Sequence, residues 1–285
     1  MIPHSITQTD YFSRENSLKY MGVSQFKSFE KCEAAALAEI RGEYVPEKTT
    51  ALLVGSYVDA HFEGTLDIFK AKNPEIFKRD GNLKADYSQA DYIINRIERD
   101  SFFMKAMDGE KQKIMVGEIE GVPVKIKIDS YREHKTIVDL KVIKDFSPIY
   151  VNGRGRLSFY EAWGYDIQGA VYQEIVRQNT GEKLPFVLAA ATKEKETDLQ
   201  VISLDQAELD AAMEIVKANI GRYAAIKAGT EEPKRCEHCD FCKFTKKLDK
   251  VMTSEEFRND YTLRRQRQMC IRDRYRLTPV KKPVP

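Results

Sequence analysis

Asp129, Asp139 and Lys141 are the residues whose types and spacing most invite chemistry. The segment 122–131 alternates: Val124, Ile126 and Ile128 fall on one face, and Lys125, Lys127 and Asp129 on the other, as the two-residue period of a strand requires. In the segment that follows, Val138, Leu140 and Val142 share one face, and Ile137, Asp139 and Lys141 the opposite one. A three-residue turn at Glu133, His134 and Lys135 sets Arg132 opposite Thr136. In that register Ile128 meets Leu140, Ile126 meets Val142, and Asp129 stands directly opposite Asp139. Directly opposed Cβ atoms lie roughly 4.5–5.5 Å apart, and like charges there repel. A divalent cation removes the conflict, because Mg²⁺ takes carboxylate oxygens at about 2.0–2.1 Å and keeps several waters for chemistry. Lys141, two residues along the same face, reaches such a water or a phosphate oxygen. Two carboxylates, a cation and a lysine can together activate water and stabilise the negative charge of a phosphodiester transition state.

The elements that must position these residues follow from pattern. Ser24 caps a helix running to Gly42, a second helix follows Thr49, and residues 87 to 108 show helical spacing. From Lys113 three short runs rich in β-branched residues, punctuated by Gly121 and the 132–135 turn, predict strands. A loop over 147–158 leads to a helix from about Phe159 to Arg177. Two more strands (185–192 and 198–204) and a long helix over 204–228 precede a cysteine-rich segment. The order predicts one mixed α/β (α+β) domain over residues 1–261, a central mixed sheet flanked by helices.

Asp-x(9)-Asp-Leu-Lys over 129–141 resembles the motif of the PD-(D/E)XK nuclease superfamily, in its RecE- and RecB-like branch. The resemblance implies a restriction-endonuclease-like core with Asp129 and Asp139 as metal ligands, the Leu140 carbonyl assisting, and Lys141 as the catalytic lysine. Gln168 and Tyr172, at i and i+4 on a predicted helix, are similar to the QxxxY motif of that branch, which helps to position the substrate strand. Gly-Ser-Tyr-Val-Asp at 55–59 is similar to its Gly-x-x-x-His helix; the matching ligand here is Asp59, with His61 as the lesser candidate and Glu118 weaker still. The implied activity is a Mg²⁺- or Mn²⁺-dependent DNA exonuclease, a hydrolase similar to exodeoxyribonuclease VIII that degrades linear duplex ends in phage-type recombination, with a restriction-like endonuclease of the same chemistry as the alternative. DNA is then the partner, with a single-strand annealing protein and self-association into a homo-oligomer as further ones. No Gly-x-x-x-x-Gly-Lys-Ser/Thr is present, which argues against a helicase fusion. The readings from other classes are a catalytically silent DNA-binding module and a metal-stapled interaction module of the same fold.

Lys144, Arg154 and Arg156 around the 147–158 loop suit a phosphate backbone, with Tyr160 and Trp163 nearby; Trp163 reads as core. Three cysteines crowd into 236–242, which points to metal ligation in a reducing compartment, and Cys32 is the obvious fourth ligand for Cys236, Cys239 and Cys242. This set resembles the iron–sulfur staple of some RecB-like nucleases, which implies a 4Fe-4S cluster; zinc, held by the three cysteines with Cys32 or His238, is the alternative. From Thr262 the chain carries eight basic residues against one acid, so the formal +2 of the whole conceals a body near −5. Nucleic acid must therefore be met by local basic patches. Residues 264–274 resemble translated adapter DNA, and 262–285 is set aside as non-native or disordered, a basic arm being the alternative. With 42% hydrophobic and 32% charged residues, no long apolar run and no secretory signal, a cytoplasmic bacterial or phage-encoded globular protein is expected.

Overall fold

The computed structural model describes residues 6–151 and 154–259; the basic stretch 262–285, and Cys270 within it, lie outside them. The N-terminal part holds a short helix α1 (Arg14–Lys19), strand β1 (Met21–Gly22), and helices α2 (Val23–Lys31) and α3 (Glu33–Arg41). The one helix expected over 24–42 is broken at Cys32, whose backbone is extended (φ −162°, ψ 109°). The Cys32 N–H closes α2 on the Ser28 carbonyl, and its own carbonyl opens α3 by accepting from the Ala36 N–H. Gly42 ends α3 at φ 74°, a left-handed stop that favours glycine. Helix α4 (Thr50–Glu63) starts at Thr49, whose side chain accepts from the Leu52 N–H, and α5 (Leu66–Lys72) follows. The helical run at 87–108 divides into α6 (Gln89–Glu98) and α7 (Ser101–Ala106), because Asp100 caps the Phe103 N–H.

Strands β2 (Glu110–Ile119), β3 (Val122–Arg132) and β4 (Thr136–Ile143) come next. The expected loop contains a small hairpin, β5 (Ile149–Val151) with β6 (Gly155–Leu157). Gly164, at φ 64°, divides the following helix into α8 (Phe159–Ala162) and α9 (Tyr165–Thr180). Strands β7 (Phe186–Thr192) and β8 (Leu199–Ser203), the long α10 (Gln206–Ala228) and the short α11 (Asp240–Phe244) follow, and residues 254–259 are again helical.

Among the described residues six strands make one mixed sheet in the order β1-β3-β4-β7-β8, with β2 on the other edge of β3. Pairing is antiparallel from β2 through β3 to β4, parallel from β4 to β7 across the α9 connection, and antiparallel from β7 to β8. One face is buried under α2, α9 and α10, and includes Ile126, Ile128, Ile137 and Phe186. The other is buried under α4, α6 and α7, and includes Val138, Leu140 and Ala189.

The β3–β4 register is the one read from the turn, but only for Arg132↔Thr136, Tyr131↔Ile137 and Ser130↔Val138. Past Ser130 the strands part. The Leu140 N–H is taken by the Asp129 carboxylate at 2.9 Å, while on its opposite edge β4 pairs with β7 from Ile137 to Ile143. Asp129 and Asp139 are therefore not ladder partners. Ile128 does not meet Leu140, nor Ile126 Val142: the isoleucines lie under α9 and α10, and Leu140 and Val142 under α4. The alternation of β3 resets at this point, since Ile128 and Tyr131, three residues apart, join the same core cluster. Further along, β1 pairs with Val124 and Lys125 on the same edge of β3. Between Lys125 and Ser130 that edge has no strand beside it among the described residues, and the gap is a fork in the sheet.

Helix α9 lies close over β7 at Gly169, where an added Cβ would stand 2.5 Å from Phe186 Cδ1 and 2.8 Å from Leu209 Cδ2. Gly169→Ala is expected to destabilise the fold by about 1–3 kcal/mol through overpacking, against the gain of about 1 kcal/mol that alanine brings to a helix interior. Gly221 in α10 has nothing within 4 Å of an added Cβ, so Gly221→Ala is the control and should be neutral or stabilising. Thermal unfolding of the two variants checks the pair; equal midpoints would contradict the close approach.

Candidate active site

The fork between β3 and β4 gathers the charged residues. Asp129 sits where β3 loses its neighbour, with Oδ2 held by the Leu140 N–H. Asp139, 2% exposed, receives the Gln168 side-chain amide of α9 on Oδ1 at 2.7 Å. Its Oδ2 has the Lys141 ammonium against it, yet no well-directed hydrogen bond. Lys141 also donates to the Leu140 carbonyl at 3.2 Å. Tyr172, one turn after Gln168, donates its hydroxyl to the Lys127 carbonyl at 2.8 Å and so pins the backbone of β3 beside Asp129. Asp59 comes from α4 on the far side of the fork, and lines a small cavity with Glu63, Lys111, Asp129, Ser130 and Leu140. Its Oδ1 is buried without a hydrogen-bond partner.

Electrostatics follow from this crowding. Burial pushes the Asp59 carboxyl up to about 7, Glu63 and Asp139 adding to the effect and Lys141 opposing it. Burial, with Asp139 and Asp59 adding, holds Asp129 well above the usual carboxylate range against Lys141 and the Leu140 N–H. For Lys141 burial alone would lower the value, but Asp139 and Asp129 outweigh it and keep the ammonium charged. Three acids and one lysine in a poorly solvated fork leave excess negative charge; Asp59 Oδ1 is buried without a hydrogen-bond donor, and Asp139 Oδ2 meets the Lys141 ammonium without a well-directed bond. Carboxylate oxygens, a backbone carbonyl and space for water suit a hard divalent ion, so the residues fit one. The three carboxylates stand further apart than a closed cage would need: among the described residues, the ligating groups that crowd within 4.8 Å are cysteines.

Not every residue singled out by sequence reaches the fork. His61 lies two positions after Asp59, about 200° around the helix at roughly 100° per residue, and its Nε2 meets Glu98 Oε1 at 2.8 Å. It belongs to the surface and not to this site. Glu118 is exposed near the far end of β2, where its backbone N–H binds Gln178. Lys144 is 93% exposed beside Asp145, Arg156 projects from the β5–β6 hairpin, and Arg154 lies near Asp166 of α9. These three bases do not join the carboxylates. Trp163, read as core, is 52% exposed at the end of α8. Cys32, Cys236, Cys239 and Cys242 do come together, away from the fork.

The structure adds residues that the sequence did not single out. Lys27 of α2 and Lys141 approach the same Tyr165 ring, at 5.1 and 5.2 Å from its centroid. Burial, then the Lys141 charge, lowers the Lys27 amine to about 8. Its contact with the Trp163 carbonyl, at 3.3 Å, holds it in place. Tyr11 and Phe12 meet edge to face beside β3; the Lys125 amine donates to the Tyr11 carbonyl, and Lys127 lies 5.0 Å over the exposed Phe12 ring. No periodicity marks these residues, because each is brought to the fork by chain far away in sequence.

A family model described as a PDDEXK-like domain of unknown function (DUF3799) matches residues 22–245. A crystal structure from Eubacterium rectale, described as that of a candidate exonuclease, aligns at 48% identity and a TM-score of 0.85 over 90% of this chain and 98% of that one. The structure of SSO0001 aligns at 15% identity and a TM-score of 0.29 over 77% of this chain and 94% of that one, too weakly to carry an argument. No curated protein matches this chain. No helix among the described residues is long and apolar enough to cross a membrane.

The raised Asp59 value has a consequence for stability. Folded protein keeps a proton that the unfolded chain releases near its ordinary value of about 3.9. Without divalent ions, stability should therefore fall as pH rises from about 4 through about 7, and Asp59→Asn should flatten that fall. Added Mg²⁺ binds the ionised carboxylates and should recover stability at about pH 8 more than at about pH 5. Thermal melts at the two pH values, with and without Mg²⁺, check this; a Mg²⁺ effect no larger at the higher pH would contradict it.

Proposed function

The chain belongs to the PDDEXK-like domain family, and from that premise we propose that it is a divalent-metal-dependent deoxyribonuclease whose chemistry is centred on Asp129, Asp139 and Lys141. The observation that carries this reading is the fork, where β3 and β4 part so that two carboxylates and a lysine face one space that Asp59 also enters. Asp59, Asp129, Asp139 and the Leu140 carbonyl would hold Mg²⁺ or Mn²⁺. When bound, the ion supplies Lewis-acid stabilisation of the phosphoryl oxygens and a nucleophile at neutral pH.

The chain's own groups do the rest. Lys141 remains charged and presents its ammonium to the developing charge on phosphorus-bound oxygen. Gln168 fixes the Asp139 carboxylate by its Oδ1, leaving Oδ2 facing the site. Tyr172 acts at one remove, setting the position of β3 through the Lys127 carbonyl. Lys27, sharing the Tyr165 ring with Lys141, adds a second cation for the phosphate backbone on the α2 side. Lys144, Arg154 and Arg156 extend that basic approach.

The finer reading is exonucleolytic digestion of linear duplex DNA by a single nuclease domain over 1–261. It would prepare single-stranded tails for an annealing partner, as in RecE-like recombination. Its supports are the motif resemblance and the E. rectale relative, whose description names an exonuclease.

With Mg²⁺ and linear duplex DNA, wild-type protein is expected to release nucleotides and Lys141→Ala to do so at least about 100-fold more slowly. Equal product from both would refute the assignment. End-labelled linear DNA set against closed circular DNA separates the finer reading, since an exonuclease leaves the circle intact. Lys27→Ala should raise KM for DNA and steepen no salt dependence, while lowering kcat less than Lys141→Ala does. An unchanged KM would remove Lys27 from the substrate path.

A further inference from the structure

Four thiols from opposite ends of the chain meet at the outer end of α2. Cys32 occupies the break between α2 and α3, and Cys236, Cys239 and Cys242 come from the segment that enters α11. Their sulfurs all lie within 4.8 Å of one another; Cys32 Sγ is 3.6 Å from Cys242 Sγ, and Cys236 Sγ is 3.9 Å from it. Two backbone amides point at sulfur: Cys239 N–H at Cys236 Sγ (3.3 Å) and Cys242 N–H at Cys239 Sγ (3.4 Å). The Arg235 guanidinium, bonded to the Cys242 carbonyl at 2.7 Å, puts a positive charge beside the group. His238 is turned away, with Nδ1 against the Cys236 carbonyl at 2.8 Å, which leaves Cys32 as the fourth ligand.

Separation decides what such a set can hold. A four-coordinate ion with metal–sulfur bonds of about 2.3 Å spaces its thiolates on a tetrahedron roughly 3.8 Å on edge. In a 4Fe-4S cluster each cysteine binds its own iron at a corner of the cube and points outward, which spreads the four sulfurs to on the order of 6 Å. The observed 3.6 and 3.9 Å match the first and leave no room for the second. The cluster implied by the resemblance to RecB-like staples therefore does not fit these residues.

We infer that Cys32, Cys236, Cys239 and Cys242 bind a single tetrahedral ion, zinc, that ties the α2–α3 joint to the C-terminal segment. Four thiolates with no open position suit a structural zinc site, and the ion needs no electron transfer to do its work. It replaces a large apolar contact: the cluster around the cysteines is small, including Ala35 and Phe241. Because Lys27 and Cys32 stand on one short helix and its end, the ion also steadies the helix that brings the Lys27 amine to Tyr165.

The test is metal analysis of the full-length protein purified anaerobically without added metal. About one zinc per chain, no acid-labile sulfide and a colourless solution are expected, and exchange for Co²⁺ should give the intense visible bands of tetrahedral thiolate coordination. Asp129→Asn should keep the zinc, whereas Cys239→Ser should lose it and unfold at lower temperature. Iron with labile sulfide in equal amount, or folded protein with no metal at these thiols, would overturn the inference; a single iron without sulfide would overturn the choice of zinc. None of these readouts depends on nuclease activity.

Discussion

Like-charge repulsion inside a poorly solvated space is the constraint on which the site is built. Asp59, Asp129 and Asp139 come from one helix and two strands, and each is driven toward the fork by the burial of its own element. A sheet that simply continued its ladder would spread such charges across a solvated surface. Here the ladder stops, and the carboxylate that interrupts it takes the amide hydrogen bond of Leu140 for itself. The cost of gathering acids is offset locally by Lys141 and by the Gln168 amide, and the remainder is what a divalent cation would neutralise.

The fork opens on one edge of β4 only. Its first residues pair with β3, as the turn at Glu133–Lys135 dictates, while from Ile137 to Ile143 its other edge pairs in parallel with β7. The β7 ladder lies on the opposite edge and does not compete with β3, so what ends the β3 pairing is the Asp129 carboxylate at the Leu140 N–H. Past Val138 the β7 ladder holds β4 in place, and the same edge of β3 meets β1 at Val124 and Lys125. The grouping of Asp129 with Asp139 thus follows from where the β3–β4 ladder ends, and helices α4 and α9 close the opening from its two sides with Asp59 and Gln168.

That division explains what was legible in the sequence. Period-two alternation placed Asp129, Asp139 and Lys141 on adjacent strands, and the turn gave the register of the three pairs that form. The parting of the strands was not legible, because a carboxylate that takes the place of a ladder carbonyl at the Leu140 N–H leaves no mark in the alternation. Treating the sheet as buried on one face then put Ile128 against Leu140, which the two-sided core forbids. Residues two apart on a helix cannot share a face, so Asp59 and His61 were exclusive candidates, and only the packing that turns His61 to Glu98 decides between them. Lys27 offered no signal: a lysine on an amphipathic helix looks like surface until Tyr165, far downstream, is folded beneath it. Cysteine spacing, by contrast, found its set at once, because thiol crowding is rare enough to be read without a fold.

The segment around Tyr11 and Phe12 lies across the β2–β3 hairpin, where Tyr11 packs with Tyr20 against Ile114 and Val116, the Lys125 amine donates to the Tyr11 carbonyl and Lys127 lies over the Phe12 ring. It thereby straps the hairpin that carries Asp129 on the face opposite α9. Trimming the chain up to α1 would bare Ile114 and Val116 and slacken the strand on which Asp129 stands.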